Sequence, residues 1–446
     1  MESVGGEGTG QSTSVRQVVF ASLIGTTIEW YDFFVYGTAA ALVFNQLFFP
    51  NVDPVIGTLA AFATFGVGFI ARPLGGIVFG HYGDKIGRKS MLVITLLIMG
   101  IATTLIGLLP TFDAIGIWAP ILLVVLRFLQ GLAVGGEWGG AVLMAVEYSP
   151  AENRGFYGSW PQMGSPIALF LSTVIFSVFA ALPDEQFLSW GWRVPFLVSI
   201  VLVGVGLYIR LRIFETPAFS EVKESGTVAR LPIVDVLKND LLKVLIAAGI
   251  VFVTIGGFYV VVTFSLSYGT ETLGISRGVM LTGVIIAAIS ELITIPIFAS
   301  LSDRVGRRPV CIWSAAVAML LAFPFFWVLG TEVPLLIWLA FAIYAGVLGG
   351  VYGPGAAFVA EQFETRRRYS GASAGYQLSG VLSGAFAPLI ASALLAAAGG
   401  SIWPVALYLA GLSLVSLVSA YLATETYQAD IYEGVRPQGR PAVAET

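Results

Sequence analysis

One cysteine and one histidine in 446 residues leave little for redox, metal or nucleophilic chemistry. Cys311 has no partner for an internal disulfide, and no group of His, Cys and acids at ligand spacing suggests a metal. None of the five lysines follows a glycine, so the phosphate loop GxxxxGK[ST] of an ATP-driven pump is absent. Charge is scarce as well. Only 11% of residues are Asp, Glu, Lys or Arg, where a soluble domain has roughly a quarter. No cofactor is implied, and no basic surface suggests nucleic acid.

What is abundant is apolar. The chain is 57% hydrophobic with mean hydropathy +0.87, and runs of roughly 20 apolar residues recur throughout, as spanning helices require. Twelve spans are predicted, near 18–44, 56–79, 91–109, 117–147, 157–182, 193–211, 243–268, 278–299, 310–330, 334–361, 371–398 and 402–424. With the amino terminus inside, Arg193 and Arg277 alone fall outside, and Arg72 and Arg127 fall within helices. The other 19 of 23 basic residues are on the inner side, so the positive-inside rule places both termini in the cytoplasm of a cell-membrane protein. Residues 1–17 read as a disordered amino terminus, 18–211 as a six-helix bundle, 212–242 as a cytoplasmic central loop, 243–424 as a second six-helix bundle and 425–446 as a disordered tail. The fold class is therefore all-α integral membrane.

The chain repeats itself. GHYGDKIGRK at 80–89 is echoed by ASLSDRVGRR at 299–308, and Glu147 followed by Arg154 is echoed by Glu361 followed by Arg368. Six helices per half give both repeats the same orientation, so the repeat is parallel, and the working site is expected between the halves near the bilayer midplane. The repeated charges read either as a cytoplasmic latch or as topology signals only. The latch set is Gly80, Asp84, Gly87, Arg88, Lys89, Glu147, Arg154, Asp303, Arg307, Arg308, Glu361 and Arg368. Histidine 81 belongs to the same loop.

Charges within a membrane cost roughly 2.5–3.5 kcal/mol each on insertion scales, which makes them functional suspects. Glu29 and Asp32 lie three apart in helix 1, with Tyr36 further along that face. Arg72 is in helix 2, and Arg127, Gln130 and Glu137 form a stripe on helix 4. Three acids against two arginines leave one surplus carboxylate, a group that can load and release a proton as access alternates. Asp32 is the first candidate for that proton, with Glu29 and Glu137 behind it. Arg127 and Arg72 would bind a substrate carboxylate or hold the acids while the site is empty. In the competing view the acid–arginine pairs only hold helices 1, 2 and 4 together. Further cavity candidates are Tyr157, Trp160, Gln162, Tyr259, Glu291, Tyr376 and Gln377; Glu291 would be a second coupling site or contact a cationic part of a substrate.

The loop GHYGDKIGRK resembles the loop 2–3 signature of the major facilitator superfamily. RFLQGLAVGGEWGGA at 127–141 is similar to its helix 4 motif. With IEWYDFFVYG (28–37) and ARPLGG (71–76), these residues resemble the metabolite:proton symporter family, which includes α-ketoglutarate, citrate, shikimate and proline/betaine permeases. The resemblance implies two six-helix bundles related by a pseudo-two-fold axis, with substrate and proton moving together by alternating access. The second loop departs from the pattern where Ala299 stands for the leading glycine. The expected function is proton-coupled import of a small organic acid, by a monomer in a lipid bilayer. A zwitterionic osmolyte is the alternative substrate. A drug/proton antiporter is more remote, because GSWPQMGSPIALF at 158–170 does not match that group's helix 5 motif. An intramembrane enzyme, a channel and a scaffold fit less well still.

Overall fold

The structure is a computed structural model; it describes residues 15–86, 88–135, 142–143, 145–146, 149–212, 236, 238–364 and 367–427. Glu137 and Glu147 lie outside the described residues. So do Gly87 and the side chains of Asp84, Arg88 and Lys89, together with residues 1–14 and most of the central loop and tail, while Gly80 falls within the helix Pro54–Ile86.

Among the described residues twelve long helical segments follow one another: α1 (Val15–Leu42), α2 (Pro54–Ile86), α3 (Arg88–Leu108), α4 (Trp118–Val134), α5 (Arg154–Ala180), α6 (Ser199–Arg212), α7 (Leu241–Thr272), α8 (Arg277–Val305), α9 (Arg307–Leu329), α10 (Pro334–Glu361), α11 (Arg368–Ala397) and α12 (Trp403–Leu422). Among the described residues nine helices are long and apolar enough to cross a membrane. Apolar side chains such as Trp313, Leu320 and Trp327 on α9 point away from the protein, as lipid contact requires.

The duplication visible in the loops is also a duplication of packing. In the first half α1 packs on α5, α2 on α4 and α3 on α6. In the second, α7 packs on α11, α8 on α10 and α9 on α12. The halves meet chiefly along α5–α8, α5–α10 and α2–α11, with α1 against α7. Two helices at this seam depart from the expected α winding. α7 contains π turns at Val253–Gly257, Val260–Phe264 and Tyr268–Thr272, and α11 contains one at Gly380–Gly384. Wide turns of this kind recur at functional sites. They bring Gly256 of α7 against Ser383 of α11, where a Cβ would stand 2.7 Å from the serine Cβ.

Without a hydrophobic drive between helices in lipid, close backbone approach supplies packing energy, and small residues permit it. The α2–α4 contact depends on this. A Cβ on Gly131 would land on the Gly68 carbonyl, one on Gly75 on the Leu132 carbonyl, and one on Gly135 on the Arg72 carbonyl. That contact sets Arg72 beside Arg127. We expect Gly131→Val to lower stability by at least ~1–3 kcal/mol, read as a lower melting temperature of the purified protein in detergent; an unchanged melt would show that α2 and α4 tolerate separation.

Candidate functional site

Two arginines are embedded in aromatic rings at the centre of the first half. The Arg127 guanidinium carbon lies 4.0 Å from the ring centre of Phe33, 4.2 Å from that of Tyr36 and 5.1 Å from that of Phe65. Arg72 lies 4.3 Å from Phe33 and 4.9 Å from both Trp30 and Phe69. A desolvated cation over such a ring gains about 2 kcal/mol or more, which offsets part of the cost of burying it. The motif IEWYDFFVYG thus supplies the cage as well as the acids.

The two arginines differ in their partners. Arg72 pairs with Glu29 at 3.8 Å. Arg127 is wholly buried and makes no ion pair among the described residues. Its Nη1 donates to Gln130 Oε1 at 3.2 Å, while Nε and Nη2 find no hydrogen-bond partner among the described residues. Gly68 leaves room for it, since a Cβ there would stand 2.6 Å from Nε. Gln130 in turn donates from Nε2 to Thr103 Oγ1 at 2.6 Å.

Asp32 lies beside Thr103. Its carboxylate is 1% exposed and is acted on by the hydroxyls of Thr103 on α3 and Ser199 at the start of α6, and by Arg127. Although Glu29 and Asp32 share a helix face by spacing, they serve different neighbours. Glu29 turns to α2, and Asp32 turns into the first bundle, behind the wall of the central cavity. Tyr36 donates to Thr64 Oγ1 at 2.7 Å.

Between the halves lies a small cavity of about 20 Å³, room for roughly one water. Trp30, Phe34 and Ser165 of the first half face Thr254, Phe258, Tyr259, Glu291, Tyr352 and Tyr376 of the second. Tyr259 packs edge-on against Phe65 and Phe69, and its buried hydroxyl has no hydrogen-bond partner among the described residues. Arg72 and Arg127 both act on it electrostatically. Tyr352 and Tyr376 interact through their hydroxyls, and Tyr376 also feels Arg72 and Glu29. Gln162 and Gln377 instead bridge the halves. Gln162 donates to the Tyr352 carbonyl at 3.4 Å, and Gln377 to the Gly135 carbonyl at 2.9 Å. Tyr157 and Trp160 lie nearer the start of α5, both packed edge-on against Phe156. Thr103, Ser199 and Tyr352 escaped sequence reasoning, because hydroxyl residues in apolar helices most often bond their own backbone; Thr103 does so too, to Met99.

Both ends of the seam are tied. On the face carrying the repeated loops, Asp303 at the end of α8 accepts from the Gly155 and Phe156 amides at the start of α5, both at 2.8 Å. A carboxylate there is favoured by the free amides and dipole of the helix start. Arg307 Nη1 holds Asp303 at 2.5 Å, and its Nη2 reaches Glu361 at 3.3 Å. Arg154 of the first half also acts on Glu361. Arg308 donates to the Tyr421 carbonyl at 2.5 Å and Arg368 to the Phe363 carbonyl at 3.3 Å, both within the second half. Gly306 makes the turn at φ +104°, and a Cβ there would stand 2.6 Å from Glu425. Glu425 accepts from the Arg307 and Arg308 amides at 3.0 and 2.9 Å.

On the opposite face Arg277 pairs with Asp184 at 2.7 Å, and Glu271 accepts from Asn45 at 2.8 Å and Thr58 at 3.2 Å. These links flank an open vestibule of about 470 Å³. With ties at both ends and a central cavity of one water, the arrangement is occluded.

Asp303→Asn keeps the shape and removes the charge. In a Cys311→Ser background, an introduced cysteine at Ser165 is expected to label at least about fivefold faster from the loop-bearing face, the equivalent of ~1 kcal/mol at a helix start. Equal labelling would show that the contact carries no gating energy.

A family model for the Major Facilitator Superfamily covers residues 22–374. The chain is 44% identical over 435 residues to the shikimate transporter of Escherichia coli (strain K12), spanning 95% of this chain and 98% of that protein. It is 36% identical over 424 residues to the proline/betaine transporter of the same strain, spanning 92% and 84%. The crystal structure of a D-xylose–proton symporter superposes with TM-score 0.72 at 18% identity, over 93% of this chain and 98% of that one, a likeness of fold. The duplicated bundles, the central arginines and these relatives lead to one conclusion: the chain belongs to the major facilitator superfamily, as a multi-pass membrane transporter and not an enzyme.

Proposed function

We propose that the protein is a proton-coupled symporter that imports a small organic acid, with Arg127 as the carboxylate site and Asp32 as the proton site. The observation that carries this reading is the buried Arg127 guanidinium, with Nε and Nη2 lacking partners and no ion pair among the described residues. A guanidinium fork takes a carboxylate in two parallel hydrogen bonds. The 44% identity to a shikimate transporter adds weight.

Coupling follows from charge. An ionised Asp32 acts on Arg127 directly, and Thr103 and Gln130 lie beside the two residues. Protonating Asp32 removes that competing negative field in a medium of low dielectric, so Arg127 binds a carboxylate more tightly. By reciprocity, a bound carboxylate holds the proton. Proton and acid then travel as one loaded, near-neutral unit, and neither is carried well alone. Glu29 and Arg72 form the neighbouring pair that keeps the second arginine neutralised. The positive-inside pattern favours a cell-membrane protein with both termini cytoplasmic, and the site is complete within one chain, so a monomer suffices.

The test is uptake into proteoliposomes under an inward proton gradient, with labelled α-ketoglutarate, citrate, shikimate, benzoate, proline and betaine, with and without protonophore. Gradient-dependent accumulation of an acid is the expected result. Accumulation of proline or betaine alone would favour a second reading, a zwitterion symporter. One observation and one relative support that second reading: Glu291 lines the central cavity beside the faces of Trp30, Phe34 and Phe258, and a proline/betaine transporter is 36% identical.

A further inference from the structure

Among the described residues, three acids are buried midway along the helices, and two of them have an arginine. Glu29 faces Arg72 at 3.8 Å, and Arg127 acts on Asp32. Glu291 on α8 is as deeply buried, at 3% exposed, yet it makes no ion pair among the described residues and neither arginine acts on it. It borders the one-water cavity between the halves, together with Ser165, Tyr352 and Tyr376. The same helix carries a tie across the seam at each end. Arg277 begins α8 and pairs with Asp184 at 2.7 Å, and Asp303 near its other end accepts from the first amides of α5 at 2.8 Å. Glu291 stands between them, roughly 21 Å from Arg277 and 18 Å from Asp303 at helical rise.

We propose that Glu291 is a second proton-binding site, and that the seam closes around it only when it carries its proton. This goes beyond the roles given to Arg127 and Asp32 and does not depend on them. A carboxylate sealed in a low dielectric without a cation is costly, and a proton removes that cost. Water entering an open cavity solvates the charge; an occluded one with room for a single water does not. Asp32 and Glu29 can pass through the occluded form ionised, because an arginine accompanies each. Glu291 cannot. Its proton is needed for the empty crossing as much as for the loaded one, so it stays with the protein and is not among those transported. By linkage, raising the pH draws the protein out of the occluded form, and α8 gives way at one of its two ties. The other titratable side chains at the cavity are Tyr259, Tyr352 and Tyr376, phenols that ordinarily titrate at about pH 10. The charged groups on elements packed against α8 sit at its ends. Asp184, Glu271 and Arg277 are at one, and Arg154, Asp303, Arg307 and Glu361 at the other. Acids and arginines ordinarily titrate outside the range of roughly pH 6 to 9.

Spin-label distances in the substrate-free, full-length protein in nanodiscs test this, because labels attached beforehand are indifferent to pH. In a Cys311→Ser background, one pair of introduced cysteines stands at Val52 and Val333, on the face opposite the repeated loops. A second pair stands at Glu152 and Glu364 on the loop-bearing face; all four positions are exposed. Between about pH 6 and pH 9, the population with a lengthened distance on one face is expected to rise at least about fivefold. Asp32→Asn should show the same rise, whereas Glu291→Gln, neutral at both values, should stay closed. Distances that ignore pH in the unsubstituted protein would overturn the proposal without recourse to any variant. So would a rise that survives in Glu291→Gln, which would place the titrating group elsewhere, or one lost in Asp32→Asn, which would assign it to Asp32. Betaine restoring closure at pH 9 would overturn it too, by making the neutralising partner a carried cation.

Discussion

Replacing Arg127 with lysine is expected to lower acid uptake at least about 100-fold, although the positive charge is kept. The wild-type guanidinium is wholly buried, lies 4.0 Å and 4.2 Å from the ring centres of Phe33 and Tyr36, and is steadied by Gln130. An ammonium has no plane to stack and no fork to present, so it cannot offer two parallel hydrogen bonds to a carboxylate. Truncating one member of a buried charged pair costs about 2–5 kcal/mol, or roughly 30- to 4,000-fold in affinity. Arg127→Ala should be as inactive but no less stable, because no ion pair is left broken among the described residues. Uptake at saturating proton gradient, alongside melting temperature, checks both. Lysine activity within a few-fold of wild type would mean that Arg127 supplies only charge, and that the carboxylate is gripped elsewhere.

The second large effect is expected at Asp32. Asp32→Asn should abolish accumulation against a gradient while leaving exchange of labelled for unlabelled substrate within about threefold. An amide stands in for the protonated acid, with the hydroxyls of Thr103 and Ser199 beside it. Arg127 is then free of a competing charge, and the loaded protein can still alternate. The empty protein carries its proton equivalent permanently, so nothing ties the return step to the gradient. Counterflow and gradient-driven uptake in the same proteoliposomes distinguish the steps. Loss of both would place Asp32 in the architecture of α1, α3 and α6, and the proton elsewhere. Glu29 is the weaker candidate, since its carboxylate already faces Arg72 at 3.8 Å.

The packing also changes the meaning of the repeated loops. By sequence, Asp303, Arg307 and Glu361 are one charge cluster. In three dimensions Arg307 and Glu361 are the support and Asp303 is the reach, because the aspartate accepts from the first amides of α5 in the other half while Arg307 holds both acids. Gly155 is what allows it, since a Cβ there would stand 2.8 Å from both the Ala299 carbonyl and Asp303 Oδ1. The tail contributes too: Glu425 caps α9 and Thr426 donates to Glu361 at 2.8 Å. A residue with no apolar periodicity around it gave no hint of this, since its value lies in amides exposed by a turn 117 or more positions earlier.

The sequence by itself determined the membrane, the duplication and the identity of the unusual charges. Each is a local property: hydropathy over one span, the echo of one loop, the cost of one ionised group in lipid. It could not say which charges share a neighbourhood. Glu29 and Asp32 lie on one helical stripe, yet one meets α2 and the other α3 and α6. Helical spacing fixes a direction around one axis but not what is packed there. Gln162 and Gln377 read as cavity residues because a buried amide needs partners, and the partners turned out to be carbonyls across the seam. Only the tertiary structure decided that Arg127 stands without an ion pair among the described residues while Arg72 does not, and that Glu291 lines the cavity between the halves. Those facts depend on glycine contacts between α2 and α4 and on the wide turns of α7 and α11, which set distances between residues far apart in the chain.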